Sequence, residues 1–225
     1  VIAAYKGYLA LIPGYLEGKI IITTGMRGEK ERAEKALEAA SRGLKVAVVS
    51  SGDAGIYGMA GLLLESMKDD SDRYFNIAII PGVTAASAAA SIVGAPLMND
   101  FAVISLSDLL TEPKIIEKRL GAAVDGDFVT VLYNPKSKKR KEFIRKAFAL
   151  FKTGRAGSTP VAVVENAYRE GQKVHLYTLE NINPESPEIH MFSCVIIGNS
   201  SSYFNGDWFV TARGYFQEKG IRNGE

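Results

Sequence analysis

Short, continuous apolar runs that alternate with helical segments constrain the fold of this chain most. KIIIT at 19–23, KVAVVS at 45–50 and NIAII at 76–80 are such runs, and the stretch 29–42 has apolar residues at helical spacing. Strands that are apolar throughout and joined by helices are typical of a parallel sheet covered on both faces. We therefore predict an α/β N-terminal domain with a mostly parallel sheet. The further helices predicted in this half span 56–67 and the Ala-rich segment after Pro81-Gly82 through Ile92.

The second half of the chain begins as the first does and then changes its pattern. Apolar runs at 101–106 and 128–133 again alternate with helical segments, at 113–123 and 137–151. Further on, three strand candidates follow one another with turns and no helix between them, which indicates a C-terminal α/β domain with a mixed sheet. These strands are predicted over 161–165, 173–179 and 190–197, and Thr111 is the candidate N-cap of the helix at 113–123. We place the two domains at 1–106 and 107–225.

Rare residue types exclude several kinds of chemistry. The 225 residues carry a net charge of +2 and contain one cysteine, Cys194, and two histidines, His175 and His190. They cannot form an intrachain disulfide or a zinc site with two cysteines or three histidines, so we expect no metal. Cys194 lies in the apolar run MFSCVIIG and His175 alternates with apolar residues in KVHLYTL, so both are expected to be structural.

The sequence also bears on where the protein resides. No apolar run approaches the roughly 18 residues of a membrane-spanning helix. The N-terminal stretch VIAAYKGYLALIPGY has no basic region ahead of its apolar part and no evident cleavage site, so it differs from a signal peptide. We therefore expect a cytoplasmic protein without a membrane partner.

The first loop of interest, Ser50–Gly58, follows the buried run KVAVVS. Ligands of open parallel sheets bind at the carboxyl ends of the strands. Gly52, Gly55 and Gly58 are three residues apart, which differs from the G-x-G-x-x-G spacing of a dinucleotide loop. Asp53 stands at the centre of the turn, where a carboxylate suits ligand hydroxyls or positive charge, such as a ribose or an amine, rather than phosphate. A structural turn with Asp53 as a helix N-cap explains the spacing equally well.

Three further loops follow predicted strands. In 81–90, small residues allow either the close approach of a flat ligand or tight packing of a helix, and packing is favoured. Ser105–Asp108 brings polar groups to the end of a strand, where a capping role is slightly favoured. In Tyr133-Asn134-Pro135, the proline keeps the preceding asparagine out of the helical conformation.

The segment KSKKRK at 136–141, extended by Arg145 and Lys146, is strongly basic. A solvated helix face is the favoured interpretation. Contact with a polyanion such as RNA is the alternative. The net charge of +2 and the lack of a basic stripe with interleaved aromatic residues speak against it, so we expect no nucleic-acid partner.

Five segments, taken together in their order and spacing, resemble the tetrapyrrole methyltransferases of cobalamin biosynthesis. They are SSGDAGIYGMAG, PGVTAASAAASIVGAPLMNDFAVISLSDLL, VLYNPKSKKR, TPVAVVENAYRE and VIIGNSS. SLSDLL and YNPKSKKR are similar to the branch that methylates carbon 17 of precorrin-3B or cobalt-factor III. The resemblance covers nearly the whole chain. It implies two α/β domains, with S-adenosyl-L-methionine (SAM) held bent in the cleft between them, and usually a homodimer.

The resemblance also implies site residues. The family's Gly-Asp-Pro turn matches Gly52-Asp53-Ala54, its Thr-Ala contact matches Thr84-Ala85, and its Asn-Gly position matches Asn166-Ala167. The cofactor residues implied in this way are Gly52, Asp53, Ala54, Ile56, Thr84, Ala85, Asn134, Asn166 and Ala167. The candidates for contact with substrate are Thr24, Met26, Asn99, Ser105, Ser107 and Arg213, and the candidate catalytic residue is Asp108, as a proton shuttle.

Three departures from the family pattern bear on this expectation. The family opens with a strand and a Gly-x-Gly-Pro-Gly loop that forms one wall of the substrate trough, and Val1 stands just after the position where that loop ends. Ala54 replaces the usual proline, which loosens the turn but keeps Asp53. Asn99 stands where close relatives often carry histidine, so an acid–base role of that histidine does not transfer.

The reaction that the resemblance implies is methyl transfer from SAM to ring carbon 17 of a precorrin-3 type tetrapyrrole. Ring contraction accompanies it, and the products are a (cobalt-)precorrin-4 and S-adenosyl-L-homocysteine. An in-line displacement at a methyl carbon needs alignment and exclusion of water more than a strong base. Alternatives are another precorrin methyltransferase, a nicotinamide-dependent oxidoreductase, which would need a phosphate loop, and an RNA-binding module at 136–146.

Overall fold

The structure is a computed structural model, and it describes residues 1–67, 75–136 and 142–216. The chain divides into two compact units, Val1–Thr84 and Ala85–Glu225. Of the helices in the described ranges, none is long and apolar enough to cross a membrane.

The N-terminal unit is built on a three-stranded parallel sheet. Its elements are β1 (Ile2–Tyr5), α1 (Lys6–Leu9), a 3-10 turn (Pro13–Tyr15), β2 (Ile21–Thr24), α2 (Glu29–Ser41), β3 (Ala47–Val49) and α3 (Met59–Ser66). The strand order is β2-β1-β3, and Ile2 pairs with Ile21 on one side and with Ala47 on the other. Helix α2 contacts β1, β2 and α3. The predicted parallel N-terminal sheet is therefore confirmed.

Two parts of this unit differ from the prediction. Ile2–Tyr5 forms the central strand, although IAAY is only four residues long and contains two alanines, which are depleted in strands. Pairing with a strand on each side fixes it. Asn76–Ile80 was predicted as a strand and pairs with no strand among the described residues, and Ile80 is 73% exposed. That prediction is wrong because an apolar run forms a strand only where a neighbouring strand takes up its backbone hydrogen bonds.

The C-terminal unit contains the mixed sheet that the sequence predicts. Its elements are α4 (Ala85–Val93), β4 (Gly94–Ala95), β5 (Phe101–Ser105), α5 (Pro113–Asp125), β6 (Val129–Tyr133), α6 (Glu142–Gly154), β7 (Pro160–Glu165), β8 (Lys173–Thr178), β9 (Ser193–Ile197), β10 (Ser202–Asn205) and β11 (Trp208–Thr211). The order of the main sheet is β5-β6-β9-β7-β8. β5 and β6 are parallel, and β9 is antiparallel to both β6 and β7. Since β7 therefore runs parallel to β6, the carboxyl ends of β5, β6 and β7 lie along one edge of the sheet.

Helices cover both faces of this main sheet. Val161 and Val163 of β7 lie in one apolar cluster together with residues of α5 and α6. Ala162 and Val164, which alternate with them, lie in a second cluster together with residues of α4. This alternation is the period of two that a strand imposes on its side chains.

The division between the units precedes the domain boundary predicted at 106/107. Helix α4 is part of the C-terminal core, where Ala86, Ala89 and Val93 are at most 2% exposed. The first unit therefore ends at Thr84, before this helix begins. The sequence pattern could not show which core the helix joins.

Smaller elements also differ from the prediction. A three-stranded sheet of order β10-β11-β4 was not predicted, since its strands are only two to four residues long. The N-cap of α5 is Glu112, without a side-chain hydrogen bond, so the prediction of Thr111 is wrong. The basic helix predicted over 137–151 is observed as α6 from Glu142, and its predicted first turn lies outside the described residues.

Cys194 is buried on β9, as predicted. Its side chain belongs to the apolar cluster under α4. Burial raises the pKa of its thiol to about 12, because the charged thiolate loses its hydration. The prediction of a structural core thiol is confirmed.

Candidate functional site

The loop after β3 is held to the start of α3 by a serine. The hydroxyl of Ser50 accepts a hydrogen bond from the backbone N–H of Met59, at 3.0 Å. The N-cap position itself is Gly58, which has no side chain to cap the helix. The interpretation of Asp53 as the helix N-cap is therefore wrong.

Asp53 instead joins two loops of the N-terminal unit. One carboxylate oxygen accepts a hydrogen bond from the N–H of Gly55 at 2.8 Å, and the other accepts one from the N–H of Gly82 at 2.9 Å. The bonds from Gly82 and Gly55 lower the pKa of Asp53, so the carboxylate is ionised at neutral pH. The side chain is only partly buried. Each oxygen can accept a further hydrogen bond, so the group suits hydroxyl or ammonium donors of a ligand.

Glycine is required where these two loops meet. Gly52 has φ +72°, a left-handed conformation that side chains rarely adopt. A Cβ on Gly82 would clash with the carbonyl oxygen of Gly52, which is backbone and cannot rotate away. These two glycines thus allow a compact turn around Asp53. Next to it, the carbonyl of Ala54 accepts a hydrogen bond from Ala60 at 2.9 Å.

The remaining predicted cofactor residues of this unit flank the turn. Ile56 is 41% exposed, and its N–H points to the carbonyl of Asp53 at 3.4 Å. Thr84 is half-buried and ends the unit two residues after Gly82. An exposed apolar side chain beside an ionised carboxylate can contact a ligand that is part apolar and part polar.

In the C-terminal unit, three predicted residues meet at the carboxyl ends of β5 and β6. The amide nitrogen of Asn134 donates to the hydroxyl of Ser105 at 3.0 Å. The backbone N–H of Ser107 points to the same hydroxyl at 3.3 Å. Asn134 has φ +51°, outside the right-handed helical region as the following proline predicts. The structure therefore brings together one predicted cofactor residue and two predicted substrate residues.

The first turn of α4 is anchored by a residue that the sequence analysis did not select. The N–H of Ala86 donates to the phenol oxygen of Tyr133 at 2.6 Å. Ala86, Ala89 and Ala90 are buried in the core, so the favoured interpretation of 81–90 as a packing surface is confirmed. Ala85 is exposed. The position of Tyr133 next to Asn134 was the sequence signal that could have identified it.

A tight loop after β7 contains the last two predicted cofactor residues. Asn166 has φ +47°, and its side-chain nitrogen donates to the carbonyl of Gly171 at 3.3 Å. Ala167 packs against the apolar cluster under α4. The phenol of Tyr168 lies 3.0 Å from the hydroxyl of Ser91 on α4, which ties this loop to the helix.

Asn99 and Arg213, predicted as substrate residues, line one surface pocket of about 350 Å³. Met98 and Phe101 also line it, and both are more than 40% exposed. Asp100 adds a carboxylate to the wall. The pocket therefore combines apolar surface with a guanidinium, an amide and a carboxylate.

Three predicted residues are not brought into these groups. Thr24 is buried, where its hydroxyl donates to the carbonyl of Gly28 at 2.9 Å and accepts a hydrogen bond from Arg32. Both of these hydrogen bonds are formed within the N-terminal unit. Met26 is 77% exposed on the loop before α2. Asp108 is exposed on the loop after β5.

Both histidines contact one carboxylate at the end of β7. Nε2 of His175 lies 2.8 Å from Glu165, and Nε2 of His190 lies 2.7 Å from its other oxygen. Burial acts to raise the pKa of Glu165, but the hydrogen bonds from His190 and His175 outweigh it, and the pKa is lowered. Within residues 1–67, 75–136 and 142–216, no group of three His, Cys, Asp or Glu side chains could hold a metal ion. These contacts fit the structural role predicted for His175.

Three described basic residues at or near α6 are paired with acidic side chains. Lys136 and Arg145 contact Glu185 at 3.6 and 2.6 Å, and Lys146 contacts Glu117 at 2.5 Å. The lysines and arginine at 138–141 lie outside the described residues. The pairing favours a solvated helix face over a surface for RNA.

Residues 1–183 match the family described as Tetrapyrrole (Corrin/Porphyrin) Methylases, and the chain belongs to this family. A probable cobalt-factor III C(17)-methyltransferase from Salmonella typhimurium is 45% identical over 216 residues, which cover 96% of this chain and 88% of that protein. The cobalt-factor III methyltransferase of Priestia megaterium is 43% identical over 95% of this chain, which spans only 40% of that longer protein.

The solved structure of the methyltransferase CobJ has the same fold. It superposes with a TM-score of 0.87 at 35% sequence identity, covering 94% of this chain and 87% of that chain. This confirms the predicted α/β fold of a tetrapyrrole methylase.

Proposed function

We propose that this protein transfers a methyl group from SAM to carbon 17 of cobalt-factor III or precorrin-3B in cobalamin biosynthesis, with ring contraction to a (cobalt-)precorrin-4. The family supports a tetrapyrrole substrate and SAM as the methyl donor. The relatives from Salmonella typhimurium and Priestia megaterium support the position on the ring and favour the cobalt-containing substrate. The observation that carries the proposal is the Asp53 turn, whose ionised carboxylate stands among close-packed glycines.

The residues of the turn fit SAM. SAM supplies an electrophilic methyl group on a sulfonium sulfur, together with a ribose and an amino-acid end. It has no phosphate, which agrees with an anionic rather than a basic turn. We assign Gly52, Asp53, Ala54, Ile56 and Thr84 of the N-terminal unit to cofactor binding. In the C-terminal unit we assign Ala85, Asn134, Asn166 and Ala167.

We propose that these residues orient the cofactor and do not activate its methyl group chemically. Methyl transfer is a displacement in line with the breaking bond, so its rate depends on alignment and on a site that excludes water. Asp53 would orient hydroxyl or ammonium donors of the cofactor. Asp108 is proposed as the group that moves the proton that accompanies ring contraction, a task for which its exposed carboxylate is accessible.

The substrate is a ring with several carboxylate side chains, and Arg213 is the basic residue that we propose to hold one of them. Asn99, in the same pocket, would add a hydrogen bond. Ser105 and Ser107 remain proposed contacts next to Asn134. Thr24 is the weakest of the predicted contacts because its hydroxyl is already bonded within the protein.

Calorimetric titration tests the proposal. The protein is titrated separately with S-adenosyl-L-homocysteine (SAH), with NADH and with an RNA oligomer. Heat with SAH alone supports the methyltransferase. Heat with NADH or with RNA, and none with SAH, would support the oxidoreductase or the RNA-binding alternative. Incubation with SAM and cobalt-factor III, followed by mass spectrometry, should then show one added methyl group. Transfer to a different precorrin instead would place the protein in another branch of the family.

Two further expectations belong to the proposal. The family resemblance supports a homodimer, which sedimentation equilibrium tests directly. The expected cytoplasmic location is tested by fractionation of cells that produce the protein.

A further inference from the structure

We propose that Tyr133 is a positioning residue of the cofactor site, which holds the segment Thr84-Ala85 in place through the first turn of α4. This inference rests on the proposed function. Tyr133 is not among the residues assigned to cofactor or substrate above.

The hydrogen bond satisfies a group that the helix itself leaves open. The first N–H groups of an α-helix have no acceptor within the helix. The N–H of Ala86 is one of these, and it donates to the phenol oxygen of Tyr133 at 2.6 Å. A side chain 47 residues further along the chain thus accepts a hydrogen bond from the start of the helix, as an N-cap side chain does.

The ring of Tyr133 is held by packing as well. It is partly buried against the apolar cluster that contains Ala86, Ala89 and Ala90 of α4. Small side chains at these positions leave space for the aromatic ring beside the helix. The phenol oxygen is therefore placed by a rigid sheet and not by a mobile loop.

Tyr133 also joins two assigned parts of the cofactor site. It is the last residue of β6, directly before Asn134, whose amide is bonded to Ser105. On the other side, Ala86 directly follows Ala85. A change in the Tyr133 contact would move Ala85 relative to Asn134, and both would then fit the same ligand less well.

Substitution Tyr133→Phe removes the oxygen and keeps the ring. We expect the Kd for SAH and the KM for SAM to rise about tenfold, since a buried N–H loses its acceptor. At saturating SAM, kcat should stay within about twofold, because the residue positions the cofactor and does not take part in the chemistry. Tyr177→Phe, on β8 of the same sheet, is the matched control and should change neither value.

The outcomes separate this inference from the proposed function. If the unmodified protein does not bind SAH, the proposed function fails. If it binds SAH and Tyr133→Phe binds equally well, the inference is overturned and the function stands. A loss of thermal stability with unchanged SAH affinity would likewise overturn it, because Tyr133 would then be only structural.

A measurement on the unmodified protein avoids any question of folding in the variant. If SAH binding requires the Ala86–Tyr133 hydrogen bond, SAH should slow the exchange of the Ala86 amide hydrogen with deuterium. At SAH about 100-fold above Kd, the expected slowing is about 100-fold. Unchanged exchange of this amide under saturating SAH would contradict the inference.

Discussion

Gly82→Ala is the substitution that most directly tests the Asp53 turn. Gly82 lies where two loops of the N-terminal unit meet, and its N–H donates to Asp53 at 2.9 Å. A Cβ at this position would clash with the carbonyl oxygen of Gly52 and lie 3.1 Å from its carbonyl carbon. All of the obstructing atoms belong to the backbone, so no change of rotamer can relieve the contact. The two loops must move apart.

The expected loss of stability and of SAH affinity follows from this overlap of atoms. Inserting a methyl group into a close-packed site costs about 1–3 kcal/mol. If SAH binds only when the loops are closed, binding must restore the strained arrangement. The Kd for SAH should then rise about 5- to 150-fold, which is the same free energy expressed as a ratio.

Two measurements follow the substitution. Urea unfolding gives the free energy of unfolding, and calorimetry gives the Kd for SAH. Gly61→Ala is the matched control, because Gly61 lies within α3 of the same unit and its Cβ would meet nothing within 4 Å. Alanine favours a helix over glycine by about 1 kcal/mol, so this control should be slightly more stable and should bind SAH normally.

A Gly82→Ala protein as stable as the unmodified one, with the same Kd for SAH, would refute the argument. That result would mean that the two loops can move apart without loss of free energy. Equal loss of affinity in Gly82→Ala and Gly61→Ala would also refute it, because the effect would then not depend on the contact with Gly52.

Three other predictions concern single side chains. Asp53→Asn should weaken SAH binding about tenfold or more in calorimetry, because the amide lacks the charge and turns one acceptor into a donor, whereas Asp207→Asn on the β10–β11 turn should have no effect. Arg155→Met should lower the free energy of unfolding in urea by about 2–4 kcal/mol, because the guanidinium donates to the carbonyls of Ala123, Phe128 and Gly198, and an unchanged value would show that water replaces it. Glu165→Gln should destabilise the protein at neutral pH. Because the folded-state pKa of Glu165 is lowered, its contribution is complete above the unfolded-state value near 4.5 and is lost as the pH falls through the folded value, so urea unfolding of the two proteins should converge in acid.

Several features of the fold could be predicted from local pattern. The continuous apolar runs at 101–106 and 128–133 became β5 and β6, and the helical spacing at 29–42 became α2. These predictions succeed because a buried strand appears as a short, continuous apolar run and an amphipathic helix as apolar residues at helical spacing. The strands β4 and β10 are too short to show a recognisable sequence pattern. They form because tertiary packing brings a partner strand next to each of them.

The candidate site was predicted in composition but not in geometry. Asn134, Ser105 and Ser107 were separate candidates, and the structure joins them through the hydroxyl of Ser105. Tyr133 was absent from the candidates because its partner, the N–H of Ala86, is 47 residues away. A hydrogen bond over that distance leaves no pattern of its own in a single sequence, so only the position of Tyr133 next to Asn134 could have pointed to this residue.

The sequence by itself determined the class of fold, the family resemblance and which residues surround Asp53 in the chain. These features depend on local hydrophobic patterns and on the order of motifs, which can be read from the sequence. Only the tertiary structure decided that Asp53 joins Gly55 and Gly82 instead of capping α3. It also decided that α4 belongs to the C-terminal unit and that Asn76–Ile80 is not a strand. The physical reason is the same in each case. These outcomes depend on which distant backbone groups and apolar faces meet, and that is settled only when the chain packs.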